Sequence, residues 1–71
     1  MATNVSPELL IVMKGGATAE QTENVVARLQ EVGVDSRVSR GREATVIGAI
    51  GELELLTSLP IEAYPGVEQV L

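Results

Sequence analysis

An α+β fold in the order β-α-β-β-α-β, with a four-stranded antiparallel sheet and two helices on one face, is what this sequence predicts. Three observations lead there. Residues 9–13 and 44–50 are short apolar runs without a charge, the mark of strands buried on both faces. Residues 34–39 alternate instead, with Val34, Ser36 and Val38 on one side and Asp35, Arg37 and Ser39 on the other, as in an edge strand with one wet face. Between the first and second of these strands lies an amphipathic helix whose two ends can both be read.

Taken in order, residues 1–8 hold the turn formers Asn4, Ser6 and Pro7 without periodicity, and a flexible leader is expected there. The folded domain is expected over 9–71. Residues 9–13 form the first central strand, broken by Lys14-Gly15-Gly16. Thr18 suits an N-cap, and Gln21 three residues on completes a capping-box pattern. Glu20 in the first turn complements the helix dipole. Val25, Val26, Leu29 and Val32 make one apolar stripe. Gly33 stands where a left-handed residue is wanted, so that Val34 can fold back on Leu29.

The alternating strand then meets the turn Arg40-Gly41-Arg42-Glu43, and residues 44–50 return as a central strand, forming a hairpin. After Gly51, residues 52–59 read as a shorter helix, with Leu53, Leu56 and Leu59 every third position and Leu55 widening the face. Pro60 stops it. Pro65-Gly66 marks a turn, and residues 67–71 begin a last strand. A strand at the very end of the sequence is expected of a piece of a longer protein. This order is the ferredoxin-like arrangement. Its first and third strands are central, its second and fourth are edges, and both helices share one face. The opposite face, presenting Val, Ile, Leu and Ala from the central strands, is expected to meet a partner.

Composition narrows the function. A 71-residue chain is one small domain, burying only about 60% of the surface its unfolded form exposes. A hydrophobic content of 45% is high for so little interior, which again points to a covered apolar surface. There is no His and no Cys. That removes imidazole and thiolate metal sites, disulfides and Cys- or His-based catalysis, so no cofactor and no catalytic residue are expected in this chain. The apolar run at 9–13 falls far short of the roughly 20 residues that span a bilayer. No basic segment followed by an apolar one marks a secretory signal, and a cytoplasmic protein without a membrane partner is expected. A net charge of −5 disfavours nucleic acid, and Tyr64, the sole aromatic, makes no stacking platform.

Few residues remain that carry chemistry. Lys14-Gly15-Gly16 before a helix invites a phosphate-loop reading, but it lacks both the Gly-Lys-Ser/Thr ending and the three-glycine fingerprint. A plain strand-to-helix turn accounts for it better. Glu52 with Glu54, and Glu20 with Glu23, read as solvated helix faces rather than acid–base pairs. Arg37, Arg40 and Arg42 gather at the hairpin, leaving Lys14 and Arg28 elsewhere. A charged tip discourages edge-to-edge aggregation. The same guanidinium forks suit a carboxylate or phosphate, with Ser39 beside them.

Residues 13–18, Met-Lys-Gly-Gly-Ala-Thr, then an amphipathic helix, then residues 38–48, Val-Ser-Arg-Gly-Arg-Glu-Ala-Thr-Val-Ile-Gly, together resemble one particular domain. It is the N-terminal domain of the type I beta 3-deoxy-D-arabino-heptulosonate 7-phosphate (DAHP) synthases. The run 65–70, Pro-Gly-Val-Glu-Gln-Val, is also similar to the family's approach to its last strand, and the resemblance covers about 9–71. It implies a ferredoxin-like, ACT-like regulatory domain attached to a metal-dependent (β/α)₈ barrel that lies outside these residues. That barrel condenses phosphoenolpyruvate with erythrose 4-phosphate, a transferase reaction and the first step of the shikimate pathway to the aromatic amino acids. Its divalent metal belongs to the parent enzyme. The chain alone is expected not to catalyse the reaction.

In this family, tyrosine or phenylalanine bound between two such domains brings them together and obstructs the catalytic site. The resemblance therefore implies three partners: the barrel, a second copy of the domain and an aromatic amino acid effector. In the best-understood members a His-x-Ser pair on the second strand contacts the effector. Those positions fall on Arg37 and Ser39, so Ser39 matches and Arg37 departs, which leaves the effector's identity open. Arg40 and Arg42 are candidate anion contacts beside them. The family's Pro after Lys is replaced by Gly15. A structural interaction or dimerisation domain without a small ligand stands as the alternative.

Overall fold

The computed structural model describes residues 8–71, apart from the side chain of Leu53. Its elements are β1 (Glu8–Met13), α1 (Ala19–Glu31), β2 (Asp35–Arg40), β3 (Thr45–Ile50), α2 (Leu53–Ser58), a 3-10 turn (Ile61–Ala63) and β4 (Val67–Val70). The strands form one antiparallel sheet in the order β2-β3-β1-β4. The two uncharged runs are thus central and the two charged strands are edges, as expected. The leader expected over 1–8 lies, except for Glu8, outside the described residues; Glu8 itself is a strand residue paired with Ile50.

Local bonds explain why the other boundaries differ slightly from expectation. The Thr18 side chain accepts from the Gln21 N–H at 3.1 Å, and the Gln21 Oε1 accepts from the Thr18 N–H at 3.0 Å, so α1 opens on a complete capping box. At its other end Gly33 has φ 81°. The Gly33 N–H donates to the Gln30 carbonyl at 3.0 Å and the Val34 N–H to the Leu29 carbonyl at 2.8 Å, the paired ending a left-handed glycine permits. Because Val34 spends its N–H there, β2 starts one residue later than the alternation suggested. Ala44 is likewise held in the turn, where its carbonyl accepts from the Gly41 N–H at 2.9 Å, and β3 starts at Thr45. Leu59 stays extended, with φ −89° and ψ 127°, because the residue before a proline is disfavoured in the helical region. The 3-10 turn after Pro60 was not expected, and it brings Ile61 into the core.

Ile11, Met13, Ile47, Ala49 and Val67 are buried from the sheet, and Val25, Leu29, Leu56 and Ile61 meet them from the helical side. The core is a single layer between one face of the sheet and the helices. Thr22 is buried too: with Val25, Val26 and Leu29 it completes the i, i+3, i+4, i+7 spacing of a core-facing stripe. The expectation that the open face presents Ala needs correcting. Ala49 pairs with Ser36 and Leu9 on the packed side and is wholly buried.

Candidate functional site

The face of the sheet opposite the helices is built row by row from the strand register. Cross-strand partners point to the same side, and neighbours along a strand to opposite sides. Asp35, Ile50 and Glu8 form one row, and Arg37, Gly48, Leu10 and the Leu71 that exchanges hydrogen bonds with Leu10 form the next. Ser39, Val46, Val12 and Gln69 form a third. The result is an apolar floor of Leu10, Val12, Val46 and Ile50 with polar groups along the β2 side. Leu10 is 40% exposed and Leu71 64%, so the floor reaches solvent.

Register divides the arginines of the hairpin. Arg37 and Ser39 stand on the open face, two residues apart. Arg40 pairs with Thr45 and so projects to the helix side, where the edge strand runs past the helical cover and Val38 is left 37% exposed. Arg42 sits in the turn between β2 and β3. The register therefore brings Arg37 and Ser39 together on one face and sets Arg40 on the other. The ion pair found among the described residues joins Arg28 to Glu31 on α1 at 3.6 Å, so Arg37 holds no carboxylate partner among those residues.

This site is a face, not a pocket. A groove of about 330 Å³ runs past Leu9, Leu56, Leu59 and Val70, and one of about 320 Å³ lies beside Lys14, Gln21 and Gly66. Neither includes Arg37 or Ser39. Small-ligand sites are normally concave and bury most of their ligand, so the open face becomes such a site only when something covers it.

Sequence reasoning missed two features of this face. Glu8 was placed in the leader, although it shares parity with Leu10 and Val12 and that parity puts it on the same side of β1. Gly48 lies inside the apolar run 44–50, where nothing in the pattern sets it apart. In the fold the Glu8 side chain covers it: a Cβ there would lie 3.2 Å from the Glu8 Oε2, closer than an ordinary contact, and 4.0 Å from the Leu10 Cδ2.

A family model described as the DAHP synthase ferredoxin-like domain matches residues 9–71. The phospho-2-dehydro-3-deoxyheptonate aldolase of Thermotoga maritima is 32% identical over 63 residues, which cover 89% of this chain and 19% of that protein. A crystal structure of DAHP synthase from Thermotoga maritima superposes with a TM-score of 0.82 at 31% identity, over 90% of this chain and 19% of that one. The chain thus spans about a fifth of the length of either relative. With the strand order, the hairpin and the capped first helix all in agreement, the chain belongs to the family of DAHP synthase ferredoxin-like domains.

Proposed function

We propose that this chain is the non-catalytic regulatory domain of a DAHP synthase, an enzyme of aromatic amino acid biosynthesis in the cytoplasm. In this reading tyrosine or phenylalanine binds at Arg37 and Ser39 between two copies, and the resulting association controls the catalytic barrel of the same enzyme. One observation carries the proposal. Arg37 and Ser39 share the open face with an exposed apolar floor, which is what an amino acid with a polar end and an apolar ring requires. No helix among the described residues is long and apolar enough to cross a membrane. No three metal-capable side chains converge among them either, so these residues do not fit the divalent metal of the family, which would be held by the barrel.

The ring finds no aromatic neighbour on this face, since Tyr64 packs against the core on the helical side. Its cover would come from a second copy, which makes binding and association one linked equilibrium. Titrating the chain with tyrosine and with phenylalanine, while following amide shifts and sedimentation, tests this. Shifts should concentrate at residues 37–40 and 46–50, the dimer fraction should rise, and Ser39→Ala should weaken binding about 5-fold, the value of one ordinary hydrogen bond. The chain has no His, the side chain whose ordinary titration falls near neutrality. Affinity should therefore be the same at pH 6 and pH 8. If neither amino acid moves the shifts or the association, the domain serves interaction without a small ligand.

A further inference from the structure

The two edges of the sheet are built differently. β4 has four residues and a register irregularity beside Val12 and Met13, the kind of break that blunts an edge. β2 has six residues in unbroken register with β3. Main-chain groups alternate sides along an antiparallel strand. The Gly41 N–H donates to the Ala44 carbonyl at 2.9 Å across the hairpin, so Ser39, Arg37 and Asp35 turn their N–H and C=O groups toward β3. Ser36, Val38 and Arg40 therefore turn theirs outward. The far side of the sheet gives the same phase. Leu10 and Leu71 exchange both bonds, which turns the groups of Leu10 to β4, those of Ile11 to β3, and those of Gly48 to Arg37 on β2. Val38, at the middle of this free ladder, is a large apolar side chain left 37% exposed.

We propose that the β2 edge pairs with the β2 edge of a second copy, antiparallel about a twofold axis at Val38, joining two four-stranded sheets into one. A twofold axis normal to the sheet keeps the open face on one side, so only residues of the same face can stand opposite each other. Charge then selects the register. With Arg37 or Arg40 on the axis, two arginines stand directly opposite, which is destabilising. With Ser39 there, Asp35 faces Glu43. With Ser36 there, Asp35 gains Arg37, but Val38 falls opposite Val34, whose N–H is already bonded to the Leu29 carbonyl. With Val38 on the axis, Ser36 stands opposite Arg40 and Arg37 opposite Ser39. No like charges are then directly opposed, and every outward group of the edge is bonded, about six hydrogen bonds in all. The two Val38 side chains cover each other on the helix side. The arginines that discourage other alignments thus leave this one open. The contact needs no small ligand and uses the edge of the sheet, not its open face.

A contact of this size is weak, so the chain is followed without amino acids from about 10 μM to about 1 mM, by sedimentation and amide hydrogen exchange. A dimer should appear toward the upper end, with protection rising at Ser36, Val38 and Arg40. Val38→Pro removes both N–H groups on the axis. An edge proline whose nitrogen faces outward is compatible with the strand, so this variant should stay folded and monomeric. Val38→Lys and Val38→Glu should each weaken association about 5-fold, with melting curves close to that of the unmodified chain because the position is exposed. An equimolar mixture of the two should associate more tightly than either alone, because in this register residue 38 meets its own copy. A chain monomeric up to about 1 mM, a folded Val38→Pro that still dimerises, or a mixture no tighter than its components overturns the proposal. A dimer formed only with tyrosine overturns it too, while the effector reading stands. A dimer of this kind that tyrosine leaves unchanged supports the edge contact and counts against the effector reading alone.

Discussion

Replacing Leu29 by alanine is expected to cost about 2–5 kcal/mol, the range for a buried leucine whose cavity cannot fully collapse. Leu29 is 1% exposed and sits in the centre of the single core layer with Ile11, Ile47 and Val25. Its carbonyl also accepts the Val34 N–H that ends α1, so relaxation of the backbone around the cavity is restrained from that side. At the usual 0.05–0.15 kcal/mol per residue, a domain of 71 residues has a total stability of roughly 4–11 kcal/mol. The substitution would remove a large part of it. Even the lower bound of about 2 kcal/mol corresponds to a fall of about 8–16 °C in Tm for a domain this size. Val26→Ala, on the half-buried flank of the same stripe, should move Tm far less. Equal, small shifts for both would mean that the helix does not pack by this face.

Gly66→Ala should be the next most damaging change, at about 2–4 kcal/mol, because two separate costs meet there. Gly66 has φ 88°, a left-handed conformation that costs an ordinary residue about 1–2 kcal/mol. An added Cβ would also lie 2.7 Å from the Gln21 Oε1 and 3.1 Å from the Gln21 Cβ. The flexible amide can swing away only by releasing the Thr18 N–H that it accepts, and losing one such hydrogen bond costs about 0.5–1.5 kcal/mol. The Gly66 carbonyl meanwhile accepts the Lys14 N–H at 2.7 Å, which ties this turn to the end of β1 and resists a shift of the whole loop. A double-mutant cycle separates the parts. In a Gln21→Ala background the side-chain bond to the Thr18 N–H is already lost, while the backbone N–H of residue 21 still donates to Thr18, so Gly66→Ala should cost less than in the unmodified chain by about the value of that one bond. Strict additivity would mean that the two residues do not touch.

The features legible in the sequence are those made by bonds between near neighbours in the chain. The Thr18–Gln21 box and the Gly33 ending with Val34 folded on Leu29 each involve groups within a few residues, so residue type and spacing suffice to define them. The central and edge strands were also legible, because residues 9–13 and 44–50 carry no charge, but β1 and β3 are buried on one face only, and Leu10 on the other face is 40% exposed. Two helix boundaries followed from Gly33 and Pro60 for the same local reason. The strand starts were a residue off because Val34 and Ala44 lend backbone groups to a helix end and a turn, a competition that side-chain pattern does not report.

Tertiary structure alone decided the composition of the candidate site. Arg37, Ser39, Arg40 and Arg42 are one cluster in the sequence, yet alternation and the pairing of Arg40 with Thr45 send Arg40 to the other side of the sheet. Glu8 and Gly48 are 40 positions apart in the chain and meet only because β1 pairs with β3 in the register that sets Leu10 against Gly48. The contact between Gly66 and Gln21 joins a turn to a helix start in the same way. Register depends on which distant strands pair, and a slip of one residue would turn every side chain to the opposite face. A short-range pattern can therefore announce that a strand has two faces, while the packing of the whole sheet against its helices determines which residues share the face left open.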